Sequence, residues 1–385
     1  MNKPTILIAG GGTGGHVFPA LAVAEAMRAV ADVGVVFCGT ARGAEVRLVP
    51  PSGWPLELLD VEPMMGGGAL RAIRGALVAA RAMGTARRLV RRIRPRAVLS
   101  VGGYAAGPVT LAAALHGVPV AVLEPNRVAG LANRILAPLA KRAYVASEEA
   151  AAPFAPGVRR FFGVPLRAGF APRPYVPNDT CRILVLGGSQ GAAALNERMP
   201  GAIGRLSSGP RVEVIHQAGP DRDAAVRLAY TSAGVADVRV VAFVEDVART
   251  IADADLVVAR AGAGTIAEIT AVGRASLLVP FPYAAGAHQA RNAESLSRIG
   301  AALCLDQEAA TPSRLAQEIG RLLSDARARA TMAEAARAIG RPDAARDVAA
   351  DLLALAGIVA RTGAGRRTAE ANGARSPNDR AAEVL

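Results

Sequence analysis

Five glycines in six positions, Gly10, Gly11, Gly12, Gly14 and Gly15 around Thr13, run directly into His16. A glycine turn that opens a helix aims backbone N–H groups and the positive helix end at an anion or a sugar. So many glycines are costly in chain entropy unless something must approach the backbone. His16 lies where the turn meets the helix, and an imidazole there can take a proton from a bound hydroxyl. The device returns at Gly187-Gly188-Ser189-Gln190-Gly191 and again at Arg260-Ala261-Gly262-Ala263-Gly264-Thr265. Both follow apolar runs and offer N–H groups to a phosphate. Glu268, one turn further, suits two ribose hydroxyls, and the amides of Gln289 and Asn292 beside His288 suit sugar hydroxyls. In the first half, Tyr104 after Gly102-Gly103, and Glu124 and Asn126 after another strand, share His16's edge of the sheet.

The glycine turns exclude as much as they suggest. A dinucleotide-binding domain ends its second strand in an acid, whereas this one ends Phe37-Cys38-Gly39-Thr40. A nucleoside-triphosphate loop needs Lys-Ser or Lys-Thr after the glycines, and here His16 follows. Both absences argue against a nucleotide at 10–16. No Asp-x-Asp pair stands at either loop. The four histidines, His16, His116, His216 and His288, lack ligand spacing, so no metal or other cofactor is expected. Cys38, Cys181 and Cys304 are scattered and read as buried free thiols.

The positioning elements follow from alternating apolar runs and helical periodicity. Strands are expected at 5–9, 33–38, 97–101, 119–123 and 142–146, with helices near 17–29, 42–50, 70–93, 107–116 and 128–139. A proline-rich stretch at 164–180 reads as a linker. The pattern then restarts with strands at 182–186, 212–216, 238–242, 255–259 and 275–279. Strands separated by helices give a parallel, doubly wound sheet. The 385 residues thus divide into α/β domains at 1–163 and 181–342, a last helix at 343–359 and a disordered tail at 360–385.

A formal charge of +13 admits nucleic acid, an anionic membrane or a phosphorylated substrate. Aromatics are only 4% and do not interleave with the basic residues, which argues against nucleic acid. Met64-Met65-Gly66-Gly67-Gly68 leads into a helix bearing Arg71, Arg74, Arg81, Arg87, Arg88, Arg91 and Arg92, a combination suited to an anionic lipid surface. No apolar run reaches the roughly 18 residues that span a bilayer. The N-terminus passes into a strand without a signal-peptide core, so a cytoplasmic location is expected.

Gly11-Gly12-Thr13-Gly14-Gly15-His16, Gly187-Gly188-Ser189-Gln190-Gly191 and Gly262-Ala263-Gly264-Thr265-Ile266-Ala267-Glu268-Ile269 together resemble the MurG family of peptidoglycan N-acetylglucosaminyltransferases. Gly102-Gly103-Tyr104, Gly130-Leu131-Ala132-Asn133, Val279-Pro280-Phe281-Pro282 and Arg341-Pro342-Asp343-Ala344 extend the resemblance over about 5–358. It implies two Rossmann-like domains facing a cleft, the GT-B fold, with the last helix crossing back to the first domain. It implies UDP-GlcNAc on the second domain and undecaprenyl-linked lipid I on the first. The enzyme would then be peripheral on the cytoplasmic face of the inner membrane, with other cell-wall synthesis proteins as candidate partners. Arg167 matches the linker arginine near uracil, Ser189 the serine near the diphosphate, Val244 a backbone contact to uracil. Glu268 matches the ribose-binding glutamate and Gln289 the glutamine on the GlcNAc hydroxyls; Thr13, Gly14, Gly15 and Asn126 match contacts around sugar and acceptor. The chain departs from the family at Leu123-Glu124-Pro125-Asn126, where His-Glu-Gln-Asn is common, at Gly163-Val164-Pro165 and at Gly286-Ala287.

The implied reaction is inverting transfer of GlcNAc to the 4-hydroxyl of the MurNAc unit of lipid I, forming lipid II. His16 is the leading base and Glu124 the second. Loop N–H groups offset charge on the departing UDP, and closure about 164–180 excludes water. Two rivals are a UDP-sugar transferase or epimerase with a soluble substrate, and a non-catalytic nucleotide-sugar-binding protein.

Overall fold

The computed structural model describes residues 3–61, 69–177, 180–188, 190–206, 210–284 and 287–361, with backbone only at 69–79. Ser189, the 64–68 loop, Gly286 and the tail beyond Arg361 therefore lie outside the described residues, as do the side chains of Arg71 and Arg74. The chain separates into two compact units, Met1–Arg167 with Asp343–Leu385, and Ala168–Pro342.

The first unit is built on strands β1 (Thr5–Gly10), β2 (Gly34–Gly39), β3 (Leu56–Leu58), β4 (Ala97–Gly102), β5 (Val120–Glu124), β6 (Ala140–Val145) and β7 (Arg159–Arg160). Between them run helices α1 (Gly14–Val30), α2 (Glu45–Leu48), α3 (Ala69–Ile93), α4 (Ala106–Leu115), α5 (Leu131–Leu136) and α6 (Glu148–Ala151). The strands are parallel in the order β3-β2-β1-β4-β5-β6-β7. β4 and β5 are buried along their whole length, which is why they read as continuous apolar runs rather than alternating ones.

The second unit repeats the plan. Its strands are β8 (Thr180–Leu186), β9 (Arg211–Gln217), β10 (Val238–Val241), β11 (Leu256–Ala259), β12 (Ser276–Leu278) and β13 (Leu303–Cys304), ordered β10-β9-β8-β11-β12-β13 and parallel. Its helices are α7 (Ala193–Ile203), α8 (Asp223–Ser232), α9 (Val247–Asp253), α10 (Ala263–Val272), α11 (His288–Arg298), α12 (Pro312–Ser324) and α13 (Ala326–Ile339). In each sheet the order reverses beside the first strand, between β1 and β4 and between β8 and β11. That switch point is where open α/β sheets leave a crevice for ligands.

The last helix, α14 (Ala344–Leu355), belongs to the first unit. Val348, Ala349, Leu352 and Leu353 recur at helical spacing and share a core with Ile6, Ile8, Val17, Ala20 and Leu21. Asp351 accepts hydrogen bonds from Arg142 Nε at 3.0 Å and Tyr144 Oη at 2.9 Å, tying the helix to β6.

Several short elements escape the pattern reading. β3, β7 and β13 hold two or three residues each, too few to show a period. The helix expected over 42–50 is four residues and a 3-10 turn, and α5 is likewise shorter than 128–139. α1 starts at Gly14 rather than near residue 17, so two of the glycines form its first turn. The 164–180 stretch is tied down late in its course. Arg173 N donates to the Val272 carbonyl at 3.0 Å, and Tyr175 Oη donates to Asp255 at 2.6 Å, both within the second unit. Cys38 and Cys181 are buried free thiols and Cys304 is half-buried.

Candidate active site

The first glycine loop occupies the β1–β4 switch point. Gly10 has φ +129°, and a Cβ there would overlap the Gly102 carbonyl oxygen, so only glycine lets the two strand ends approach. Gly11 N donates to that carbonyl at 3.0 Å. Thr13 is the N-cap of α1 but makes no side-chain cap, and the first turn holds no acid. The N–H groups of Gly14 and Gly15 are thus left for a ligand.

His16 is the third residue of α1. Its Nδ1 lies 3.0 Å from the Gly11 carbonyl oxygen, a pure acceptor, so Nδ1 carries the hydrogen. Nε2 then holds the lone pair, and it has no hydrogen-bond partner among the described residues. The ring lies beside Gly102, where a Cβ would stand 3.6 Å from Nε2. A half-buried imidazole with an oriented, unoccupied Nε2 is equipped to accept a proton.

Glu124 departs from its expected role as second base. Its carboxylate is 1% exposed and saturated by amide donors. Oε1 accepts from Asn126 N and Asn126 Nδ2, each at 3.0 Å. Oε2 accepts from Gly130 N at 2.8 Å and Asn133 Nδ2 at 2.9 Å. With four donors in place it has no lone pair to offer a substrate proton; it shapes the 124–130 loop instead. Asn133, buried and bonded also to the Leu123 carbonyl, completes this cradle. Asn126 keeps its Oδ1 for a ligand. Tyr104 is 58% exposed beyond the Gly103 turn. The Arg167 guanidinium lies 4.9 Å from the centre of the Phe18 ring, one helical position beyond Val17 on α1.

In the second unit Gly191 closes the loop against Ala218, whose carbonyl oxygen a Cβ would overlap. Gln190 is exposed at the turn. Gln217 bridges the loop to the next segment: its Nε2 donates to Gly188 O at 2.9 Å and its Oε1 accepts from Val244 N at 3.0 Å. The Val244 N–H is therefore occupied, which leaves its carbonyl as the backbone group open to a ligand. Beneath the loop, Asn196 Nδ2 donates to Ala218 O while His216 is held between Asn196 Oδ1 and Tyr230 Oη. Burial pushes the His216 imidazole down to about 4.

At the β8–β11 switch point, α10 begins at Ala263, behind an N-cap Gly262 that has no side chain to cap it. Ala263, Gly264 and Thr265 form the uncapped first turn, a ready anion site. Glu268 follows in the second turn, half-buried and beyond the reach of most of the helix-dipole benefit. Asn292 is 7% exposed and its Nδ2 donates to the Ala261 carbonyl at 3.1 Å, so it ties α11 to the loop that opens α10. Gln289 Oε1 accepts from Phe281 N at 3.0 Å, which leaves Nε2 as its available group. His288 opens α11 behind Ala287, which is left-handed at φ +52°. Arg260 is buried and bonds the Val279 and Pro280 carbonyls and Gln307, fixing the turn that carries Phe281.

Four positioning residues escaped the sequence reading: Glu45, Gln217, Arg260 and Asn133. Asn133 and Arg260 had a signal, their places in the quoted Gly130-Leu131-Ala132-Asn133 and Arg260-Ala261-Gly262-Ala263-Gly264-Thr265 runs; Glu45 and Gln217 had none. Among the described residues, no group of three or more His, Cys, Asp or Glu side chains is arranged to hold a metal ion.

Residues 6–145 match the glycosyltransferase family 28 N-terminal domain and residues 182–348 its C-terminal domain. A Sorangium cellulosum protein is 56% identical over 91% of this chain and 88% of its own length. Its name is UDP-N-acetylglucosamine--N-acetylmuramyl-(pentapeptide) pyrophosphoryl-undecaprenol N-acetylglucosamine transferase. The chain belongs to the MurG family of glycosyltransferase family 28. An Acidithiobacillus ferrooxidans protein of the same name is 42% identical over 92% of this chain and 98% of its own. The crystal structure of Acinetobacter baumannii MurG superposes with a TM-score of 0.75 at 32% identity, covering 91% of this chain and 99% of that one. The MurG-family fold is GT-B, and its two sheets are the β1–β7 and β8–β13 sheets described above.

Proposed function

We propose that the protein transfers GlcNAc from UDP-GlcNAc to the 4-hydroxyl of MurNAc in undecaprenyl-linked lipid I, forming lipid II for peptidoglycan. The 56% identity to a transferase of that name, over nine-tenths of the chain, carries the reading. In this scheme the second unit holds the donor. The N–H groups of α10's first turn and those of Gly188 and Gln190 receive the diphosphate, Glu268 the ribose hydroxyls, and the Val244 carbonyl the uracil N3–H. Gln289 Nε2 donates to a GlcNAc hydroxyl.

The first unit holds the acceptor. Thr13, Gly14, Gly15 and Asn126 line its side, and His16 Nε2 removes the proton of the attacking hydroxyl as the new glycosidic bond forms on the face opposite UDP. The bond from the anomeric carbon to the UDP oxygen breaks, and its electron pair leaves with UDP. The positive ends of α10 and the loop N–H groups stabilise that charge without movement at the moment of reaction. The single inversion gives the β-linked product.

Membrane association rests on the first unit as well. Leu111 and Leu115 on α4, with Leu131 and Ile135 on α5, are exposed. The exposed Arg81, Arg87, Arg88, Arg91 and Arg92 of α3 add positive charge. That pairing supports peripheral attachment to an anionic bilayer at the cytoplasmic face. No described helix is long and apolar enough to cross a membrane. Incubating detergent-solubilised lipid I with UDP-GlcNAc and weighing the lipid product tests the reading. A gain of one GlcNAc residue is expected; epimerised UDP-sugar, or transfer that ignores the lipid, would overturn it.

A further inference from the structure

Glu45 carries an obligation that its place in a four-residue helix does not explain. Its side chain is 1% exposed, and Gly11, Gly39 and Gly43 crowd it so closely that a Cβ on any of them would overlap the carboxyl group. Oε2 accepts from Gly12 N at 2.7 Å, and Oε1 from Thr40 N at 2.8 Å and Thr40 Oγ1 at 3.1 Å. Among the described residues no cation pairs with it, so its negative charge is balanced only by these dipoles. The field is felt nearby: burial first, then the charges of Glu57 and Glu45, push the Cys38 thiol up to about 12.

The decisive point is which peptide Glu45 holds. The N–H of Gly12 and the C=O of Gly11 are the two ends of one planar group. Glu45 takes its N–H, and His16 Nδ1–H donates to its C=O. The geometry points to a carboxylate–peptide–imidazole relay in which Glu45 is a positioning residue that fixes the tautomer of His16 and stabilises the imidazolium formed when Nε2 takes the acceptor proton. This rests on the proposed base role of His16.

Two effects make such a partner useful. His16 lies in the first turn of α1, whose positive end disfavours an imidazolium. A buried anion one peptide away opposes that, and a polarised peptide strengthens the hydrogen bond at its far end. Among the described residues no carboxylate bonds the ring directly. Among those residues, Arg167 lies over Phe18 on the same helix, and the Glu124 carboxylate is engaged by Asn133 and the 126–130 backbone. Neither bonds the ring.

The test uses the full chain labelled with isotopic histidine, His16 being assigned by the signal lost in His16→Ala. Wild-type neutral His16 should be the Nδ1–H tautomer. Glu45→Gln removes the charge and keeps an oxygen for Gly12 N–H; its Nε2 can donate to Thr40 Oγ1 but gives up the bond from Thr40 N–H. With the charge one peptide away at an effective dielectric well above 20, the His16 titration midpoint should fall by about 0.5–1 pH unit. The acid limb of the kcat profile should move with it, with KM for UDP-GlcNAc unchanged. A midpoint within about 0.2 pH unit of wild type overturns the relay. So does an Nε2–H tautomer in the wild type, a measurement that needs no variant to fold. A shifted midpoint together with wild-type transfer by His16→Ala would keep the relay and remove the base reading.

Discussion

Acid should loosen the second unit through one residue. His216 is fully buried, with Nδ1 at 2.9 Å from Tyr230 Oη and Nε2 at 3.1 Å from Asn196 Oδ1. Burial lowers its proton affinity in the folded state, from 6.5 to about 4. The unfolded chain therefore binds the extra proton first. Stability from this group is complete above pH 6.5 and is lost as pH falls from 6.5 toward 4, at about 1.4 kcal/mol per pH unit, or about 3 kcal/mol in all. The chain's single tryptophan, Trp54, lies in the core of the first unit, so its fluorescence follows that unit alone while circular dichroism follows both. Urea unfolding between pH 7.5 and 4.5 should show the dichroism transition of the second unit moving to lower urea by this slope. Carboxylates elsewhere contribute to the acid slope, so the decisive quantity is the difference from His216→Gln. That variant starts less stable at pH 7 and should lack the 6.5–4 component. Equal acid slopes in wild type and His216→Gln would refute the assignment.

The remaining expectations are simpler. Glu268→Gln should raise KM for UDP-GlcNAc several-fold with acceptor affinity unchanged, and an unchanged donor KM would remove Glu268 from the ribose site. His16→Ala should slow single-turnover transfer by about 10²-fold or more, and a rate within about threefold of wild type would remove it as the base. Leu352→Ala empties a fully buried position in the α14 stripe and should cost about 2–5 kcal/mol. The loss should appear in the Trp54 fluorescence transition; a shift confined to the second unit's transition would contradict the packing of α14 on α1.

The parallel, doubly wound class was legible because buried strands are written as short apolar runs, and each is followed by a helix with its own period. The glycine loops were legible for a local reason: positive φ and close approach restrict those positions to glycine, as at Gly10 beside Gly102. Roles that depend on who fills a side chain's lone pairs were not legible. In the sequence Glu124 reads as a second base and Glu45 as one acid among many, and both prove to be buried acceptors of backbone N–H groups. Asn292 and Gln289 sit three residues apart on one helix, yet the first closes on Ala261 while the second keeps a free amide nitrogen.

The chemistry on offer was therefore written locally: an imidazole after one glycine turn, an uncapped helix start and a glutamate after another. Its allocation was decided by contacts distant in the chain. Gly102 meets Gly10 across the switch point, Glu45 reaches back 33 residues to Gly12, and α14 returns to the core of the first sheet. The physical reason is that a lone pair's availability depends on every donor around it, and those donors arrive only when the chain has packed.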